Sequence, residues 1–249
     1  MRSSNPALLS NPFTGFGNVS GSDTMTVRGT VNKTFILLLL VLLPAALVWR
    51  TFFASGQNPA SVQTWMLVGL IGGFIVSLVT VFKKEWAPIT APVYAMLEGL
   101  FLGGISGIFE NVYPGIVMQA VSLTIATLLA MLAVYQSGLI KPTENFKLGV
   151  FAATGGIALV YLVSIVLGFF GINVPFITGS GWFSILFSVF VVGIAALNFI
   201  IDFDFIEKGA NASVPKYMEW YGAFALMVTL IWLYIEILRL LSKLNDRRG

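Results

Sequence analysis

The stretch Leu197-Asn198-Phe199-Ile200-Ile201-Asp202-Phe203-Asp204-Phe205-Ile206-Glu207-Lys208 decides how this chain is read. A run apolar enough to lie in a membrane acquires two carboxylates, one residue apart, before it stops being hydrophobic. Carrying ionisable groups to the edge of hydrocarbon is costly, so such groups ordinarily face a cavity, a partner or an ion path. On a helix, residues two apart do not share a face, so one of Asp202 and Asp204 points inward and the other toward headgroups or solvent. Asp202 is deeper in the run and is the expected inward acid.

Composition sets the frame around this run. Of 249 residues, 57% are hydrophobic and 10% are charged, whereas soluble domains carry charge on about a quarter of theirs. Mean hydropathy is +0.90. The apolar content falls into runs of about 20 residues separated by polar punctuation, the pattern of a polytopic helical membrane protein. The net charge of +3 is scattered, without the basic block that nucleic acid requires. With no Cys there are no disulfides, thiolate metal sites or Cys nucleophiles, and with no His the usual titrating group near neutrality is missing. A response to pH then falls to shifted carboxylates.

Seven spans are expected, about Thr34–Phe53, Thr64–Phe82, Pro88–Phe109, Tyr113–Tyr135, Phe146–Phe170, Trp182–Phe205 and Trp220–Leu241. The expected organisation is a mostly disordered polar arm over 1–33, a transmembrane domain over 34–243 and a short basic tail over 244–249. Pro44 is an expected kink in the first span. In the third span Gly99, Gly103 and Gly107 recur every four residues, a spacing that lets helices approach closely. Lys and Arg favour cytoplasmic loops. With the N-terminus inside, that side carries Arg2, Arg28, Lys33, Lys83, Lys84, Lys141, Lys147, Lys208 and Lys216. Arg50 and the basic set Arg239, Lys243, Arg247 and Arg248 fall on the other side, so the tail opposes the rule that the loops obey.

Several acids are candidates for chemistry. Asp202 and Asp204 either form part of an ion path or close the span by pairing with Lys83, Lys84 or Lys208. Glu98 lies mid-span, where it is either a hydrogen-bonded link between helices or a stepping stone for protons or cations. On the last span Thr229, Trp232, Glu236, Arg239 and Lys243 share one helical face, and Glu236 can pair with Arg239 one turn on. This face is either an interface anchor or a polar lining. Arg50 either snorkels or answers Glu98 or Glu236. Enzymatic readings lack their machinery. The Gly104-Ile105-Ser106-Gly107 segment has no His to activate its serine, and no phosphate-binding or dinucleotide fingerprint is present. No catalytic residue, metal site or cofactor is assigned.

The sixth run ending Ile201-Asp202-Phe203-Asp204-Phe205-Ile206 and the last ending Leu238-Arg239-Leu240-Leu241 resemble the Bax inhibitor-1 (transmembrane Bax inhibitor motif) family. Met25 to Thr34, Ala95 to Gly104 and Tyr217 to Phe224 are similar to a bacterial branch of it. The resemblance implies an all-α, seven-transmembrane-helix bundle with the C-terminal helix central, in a bacterial cytoplasmic membrane. It also implies a pH-sensitive leak for Ca²⁺ or H⁺, governed by an aspartate pair on the sixth and seventh helices. Asp202 matches the sixth-helix member, while the seventh-helix position falls on Thr229, which cannot hold a charge. Asp204, Glu219 or Glu98 would have to supply the second acid. The resemblance equally allows a non-transporting regulator that binds a membrane protease or stress-response partner, with lipids as its surroundings.

Overall fold

The computed structural model describes residues 23–247 and contains seven helices long and apolar enough to cross a membrane. They are α1 (Val27–Ala54), α2 (Ala60–Phe82), α3 (Ala87–Val112), α4 (Ile116–Gln136), α5 (Glu144–Phe169), α6 (Trp182–Asn211) and α7 (Met218–Asp246). A 3₁₀ turn, Lys84–Trp86, leads into α3, and a single helical turn, Pro175–Thr178, precedes α6. All seven expected spans are present. Residues 1–22 of the polar arm lie outside the described residues. The first helix starts at Val27, earlier than the change from polar to apolar sequence near Thr34 suggests. Thr26 explains the early start, because its extended backbone and its hydroxyl, accepting from the Gly29 N–H at 2.9 Å, cap the helix. The helix then runs through Pro44.

Other ends follow the same chemistry. Thr143 caps α5 by accepting from the Phe146 N–H. At α4 the cap position is Gly115, at φ +86°, so no side chain serves it locally. Glu110 takes over, accepting from the Gly115 and Val117 N–H groups at 2.6 and 3.0 Å. A carboxylate at the positive end of a helix is favourable.

The described residues divide into two compact units, one drawn from the chain up to Gly104 with Asp202–Met227, the other from Ile105–Ile201 with Val228 onward. In the first unit the small-residue stripe brings backbones together. A Cβ added at Gly103 would lie 2.8 Å from the Ala45 Cα, and one at Gly99 3.1 Å from the Val41 carbonyl carbon, so α3 lies directly on α1. On its other side, a Cβ at Gly69 of α2 would meet the Leu97 carbonyl oxygen at 2.5 Å and the Phe101 nitrogen at 2.7 Å. Large apolar side chains such as Phe74 on α2 and Phe151 on α5 are exposed, as lipid-facing positions are. The helices differ in how much protein covers them. In α7, 61% of the most apolar window is buried, against 11% in α5.

Candidate functional site: charged groups held in the spans

In the first unit, α6 ends with both aspartates on successive faces, and the order of burial is the reverse of the expected one. Asp204 is buried, whereas Asp202 is half-buried. Depth along the chain does not set facing; rotation does. Asp204 lies one turn beyond Ile200, which is fully buried, and so inherits the packed face. One further turn on, Lys208 meets Asp204 at 2.8 Å, which is one of the span-closing pairs open to this segment.

Glu219 in the first turn of α7 is almost fully buried. Its carboxylate accepts from the Thr26 N–H at 3.0 Å and the Thr26 hydroxyl at 2.8 Å, and it forms an ion pair with Lys33. Lys33 also stands over the Trp220 ring. Gly29 completes the arrangement, because any Cβ there would overlap the Glu219 carboxylate. Backbone bonds fasten the same region, from the Met25 N–H to the Val214 carbonyl (2.7 Å) and from the Lys216 N–H to the Asp23 carbonyl (2.8 Å). The candidate second acid Glu219 is therefore engaged by the start of α1. Neither Lys33 nor Thr26 is assigned this role by the sequence reading, which places both in the arm. The available signal is Thr26, a favoured N-cap residue, ahead of a run without Pro before Pro44.

Glu98 is half-buried on α3, with Tyr94 one turn before it reaching its carboxylate. It packs on α2 at Gly73, where an added Cβ would lie 2.9 Å from its Oε1. Arg50 is exposed near the end of α1, consistent with snorkelling. Tyr217, in the loop before α7, has its hydroxyl pKa raised by burial and by the nearby Glu85.

In the second unit, α7 turns a charged face into the protein. Glu236 is buried and paired with Arg239 at 3.2 Å, the pairing its spacing predicts. Tyr161 of α5 adds what the spacing does not reveal, donating its hydroxyl to Glu236 at 2.9 Å while its ring lies under the Arg239 guanidinium. Lys243 is buried, donating to the Ser188 hydroxyl at 2.8 Å. Beyond the spans, Tyr113 donates to Asp246, and that bond raises the Tyr113 pKa. Among the described residues no group of three or more acids is placed to hold a metal ion.

A family model described as Bax inhibitor 1 like matches residues 5–246. The chain belongs to that family. No curated protein and no solved structure matches it. In this Bax inhibitor 1-like chain, Thr229 stands buried on α7, where the resemblance expects the seventh-helix aspartate. The acids that surround the missing position in sequence, Glu219 and Glu236, are each bound to a cation within their own unit.

Proposed function

We propose that this integral, multi-pass membrane protein is a pH-sensitive cation leak channel or exchanger, for Ca²⁺ or H⁺, controlled by carboxylates within its spans. The supporting observation is that Asp204, Glu219 and Glu236 are all buried in helices that otherwise read as apolar, and that Glu98 and Asp202 are half-buried on α3 and α6. Removing a carboxylate from water costs several kcal/mol even after relaxation, and intramembrane acids mark ion and proton pathways. Asp202 is the proposed sensor, since it matches the family's sixth-helix acid and is less enclosed than Asp204. In a chain without His, protonation of such acids is the available response near neutrality. The bacterial cytoplasmic membrane is the proposed location.

The test is Ca²⁺ and H⁺ flux from proteoliposomes containing the whole chain, measured across pH. Asp202→Asn changes the flux and flattens its pH dependence, and Glu98→Gln lowers the rate. Flux and pH profile unaltered in both variants would overturn the proposal.

One observation favours a second reading. Glu219, Asp204 and Glu236 are each neutralised by a neighbouring cation, as ion pairs that fasten a scaffold would be. On that reading the protein is a non-transporting regulator of a membrane protease or stress-response partner, with residues 1–22 as its handle. Deleting 1–22 then abolishes the cellular phenotype while Asp202→Asn leaves it intact.

A further inference from the structure

The residues just ahead of α1 do more than lead into it. Asp23 to Met25 run antiparallel to Val214–Lys216, in the linker between α6 and α7, with Thr24 opposite Pro215. The Met25 N–H donates to the Val214 carbonyl at 2.7 Å and the Lys216 N–H to the Asp23 carbonyl at 2.8 Å, one bond on each side of that pair. The chain then enters α1 at Thr26, whose N–H and hydroxyl reach Glu219 on α7. Met25 acts as a plug. It is 2% exposed, and a Cβ added at Gly222 of α7 would lie 3.4 Å from its Cε and 3.2 Å from Ile206 Cγ1 on α6. Gly222 therefore leaves room for a methionine from the arm at the seam where α6 and α7 meet.

That seam leads on to the acids of the spans. Tyr221, beside Gly222, has its ring 5.8 Å from that of Phe205, the chain neighbour of Asp204, and 6.2 Å from that of Phe224. Phe224 packs edge-on against Tyr94 at 5.0 Å, and Tyr94 reaches the Glu98 carboxylate. Met25 thus adjoins a run of packed side chains that passes Asp204 on α6 and ends at Glu98 on α3, the kind of run that carries coupling between sites. We propose that residues 23–25 are a strap that holds this end of α6 and α7 closed, and that its release opens the ion path past Asp202 and Glu98. What the strap controls rests on the ion-flux reading. The engaged arrangement is the closed one, because the Glu219 oxygens are taken by Thr26 and Lys33 and Asp204 is paired with Lys208, leaving these carboxylates committed to protein donors. Release of the strap withdraws the Thr26 donors, which follow it directly in the chain. Lying outside the α-helices, such a segment opens more readily than the helices it joins.

The chain contains no Cys, so an introduced disulfide reports without background. Thr24 and Pro215 form the non-hydrogen-bonded pair of the bridge, where Cα atoms lie about 4.5 Å apart, within disulfide range. The full chain carrying Thr24→Cys and Pro215→Cys is placed in proteoliposomes, and Ca²⁺ and H⁺ flux is read after oxidation and again after reduction, with each single-Cys variant as control. Oxidation lowers the flux about tenfold or more and reduction restores it, while the single variants respond to neither. Met25→Ser, which removes the plug, raises the flux about tenfold, the scale of the apolar burial lost. A second readout needs no flux. Maleimide labels Met25→Cys at a rate set by strap opening, and because coupling is reciprocal, Glu98→Gln changes that rate about fivefold or more. A cross-linked chain that conducts like the reduced one overturns the gate and leaves a structural staple. A pair that does not oxidise refutes the strap itself, and an unchanged labelling rate in Glu98→Gln refutes its link to the acids. Absence of flux from the unaltered chain overturns the ion-flux reading and the gate with it, an outcome distinct from flux that ignores the lock.

Discussion

Replacing Glu219 by Gln tests whether the start of α1 is fastened to the start of α7 by charge. Gln keeps the size and one acceptor, so Thr26 retains a partner for its N–H or its hydroxyl. What is lost is the anion opposite Lys33, whose side chain is only 16% exposed. Removing one member of a buried pair leaves the other charge uncompensated and costs about 3–5 kcal/mol. Lys33 can recover part of this through its rim exposure and the Trp220 ring, so the lower figure of about 3 kcal/mol is expected. For a chain of this size about 2–4 °C accompanies each kcal/mol, giving a fall of about 6–12 °C in the unfolding midpoint.

The assay is fluorescence-detected thermal unfolding in detergent micelles, read for Glu219→Gln, Lys33→Gln and the double variant. Neutralising both partners removes the stranded cation, so the double variant is less destabilised than the sum of the singles, with a coupling of about 1–3 kcal/mol. Gly29→Ala provides an independent approach to the same contact, because its methyl group displaces the carboxylate that Thr26 and Lys33 hold. Its effect and that of Glu219→Gln are sub-additive. A drop below about 2 °C for Glu219→Gln, or strict additivity in the Lys33 cycle, would refute the fastening.

Glycines separate into two classes. Gly103→Ala forces its methyl against the Ala45 backbone and costs about 1–3 kcal/mol, whereas Gly149→Ala and Gly155→Ala, with nothing within 4 Å, are neutral or gain about 0.5–1 kcal/mol, all read by the same thermal assay. Tyr161→Phe removes the hydroxyl donated to Glu236 and costs about 1.5–3 kcal/mol, checked against Tyr161→Phe in an Arg239→Gln background for coupling. Asp204→Asn destabilises more than Asp202→Asn, since Asp204 is the buried member of the pair and Lys208 loses its anion, and a reversed order would contradict the burial seen on α6. In flux assays, by contrast, the larger effect is expected from Asp202→Asn.

What could be read from the sequence was whatever is local to one helix. Spans were legible because crossing hydrocarbon requires about 20 apolar residues in a row. That α3 packs closely on a neighbour was legible because Gly99 and Gly103 are one turn apart, though not that the neighbour is α1, and Glu236–Arg239 was legible because three residues close a turn. Contacts between helices distant in the chain were not. Tyr161 lies on α5 and Ser188 on α6, and nothing near Glu236 or Lys243 in sequence points to them. The helical start at Val27 was hidden because its stability comes partly from Glu219 at the far end of the chain. Depth in the run favours Asp202 over Asp204, but a helix turns about 100° per residue, so the more deeply placed acid in sequence can face the less covered side.

The basic end of α7 illustrates how a local count can carry two meanings. Read as a topology signal, Arg239, Lys243, Arg247 and Arg248 oppose the orientation set by the loops, because the positive-inside rule treats every Lys and Arg near a span as equivalent. In the structure they are not equivalent. Arg239 is spent on Glu236, and Lys243 is enclosed against α6, so neither is a loop charge free to be held back at the cytoplasmic face. Subtracting them leaves Arg50, Arg247 and Arg248 on that side; the same subtraction removes Lys33 and Lys208, paired with the buried Glu219 and Asp204, from the nine on the other, so seven stand against three and N-inside keeps the majority.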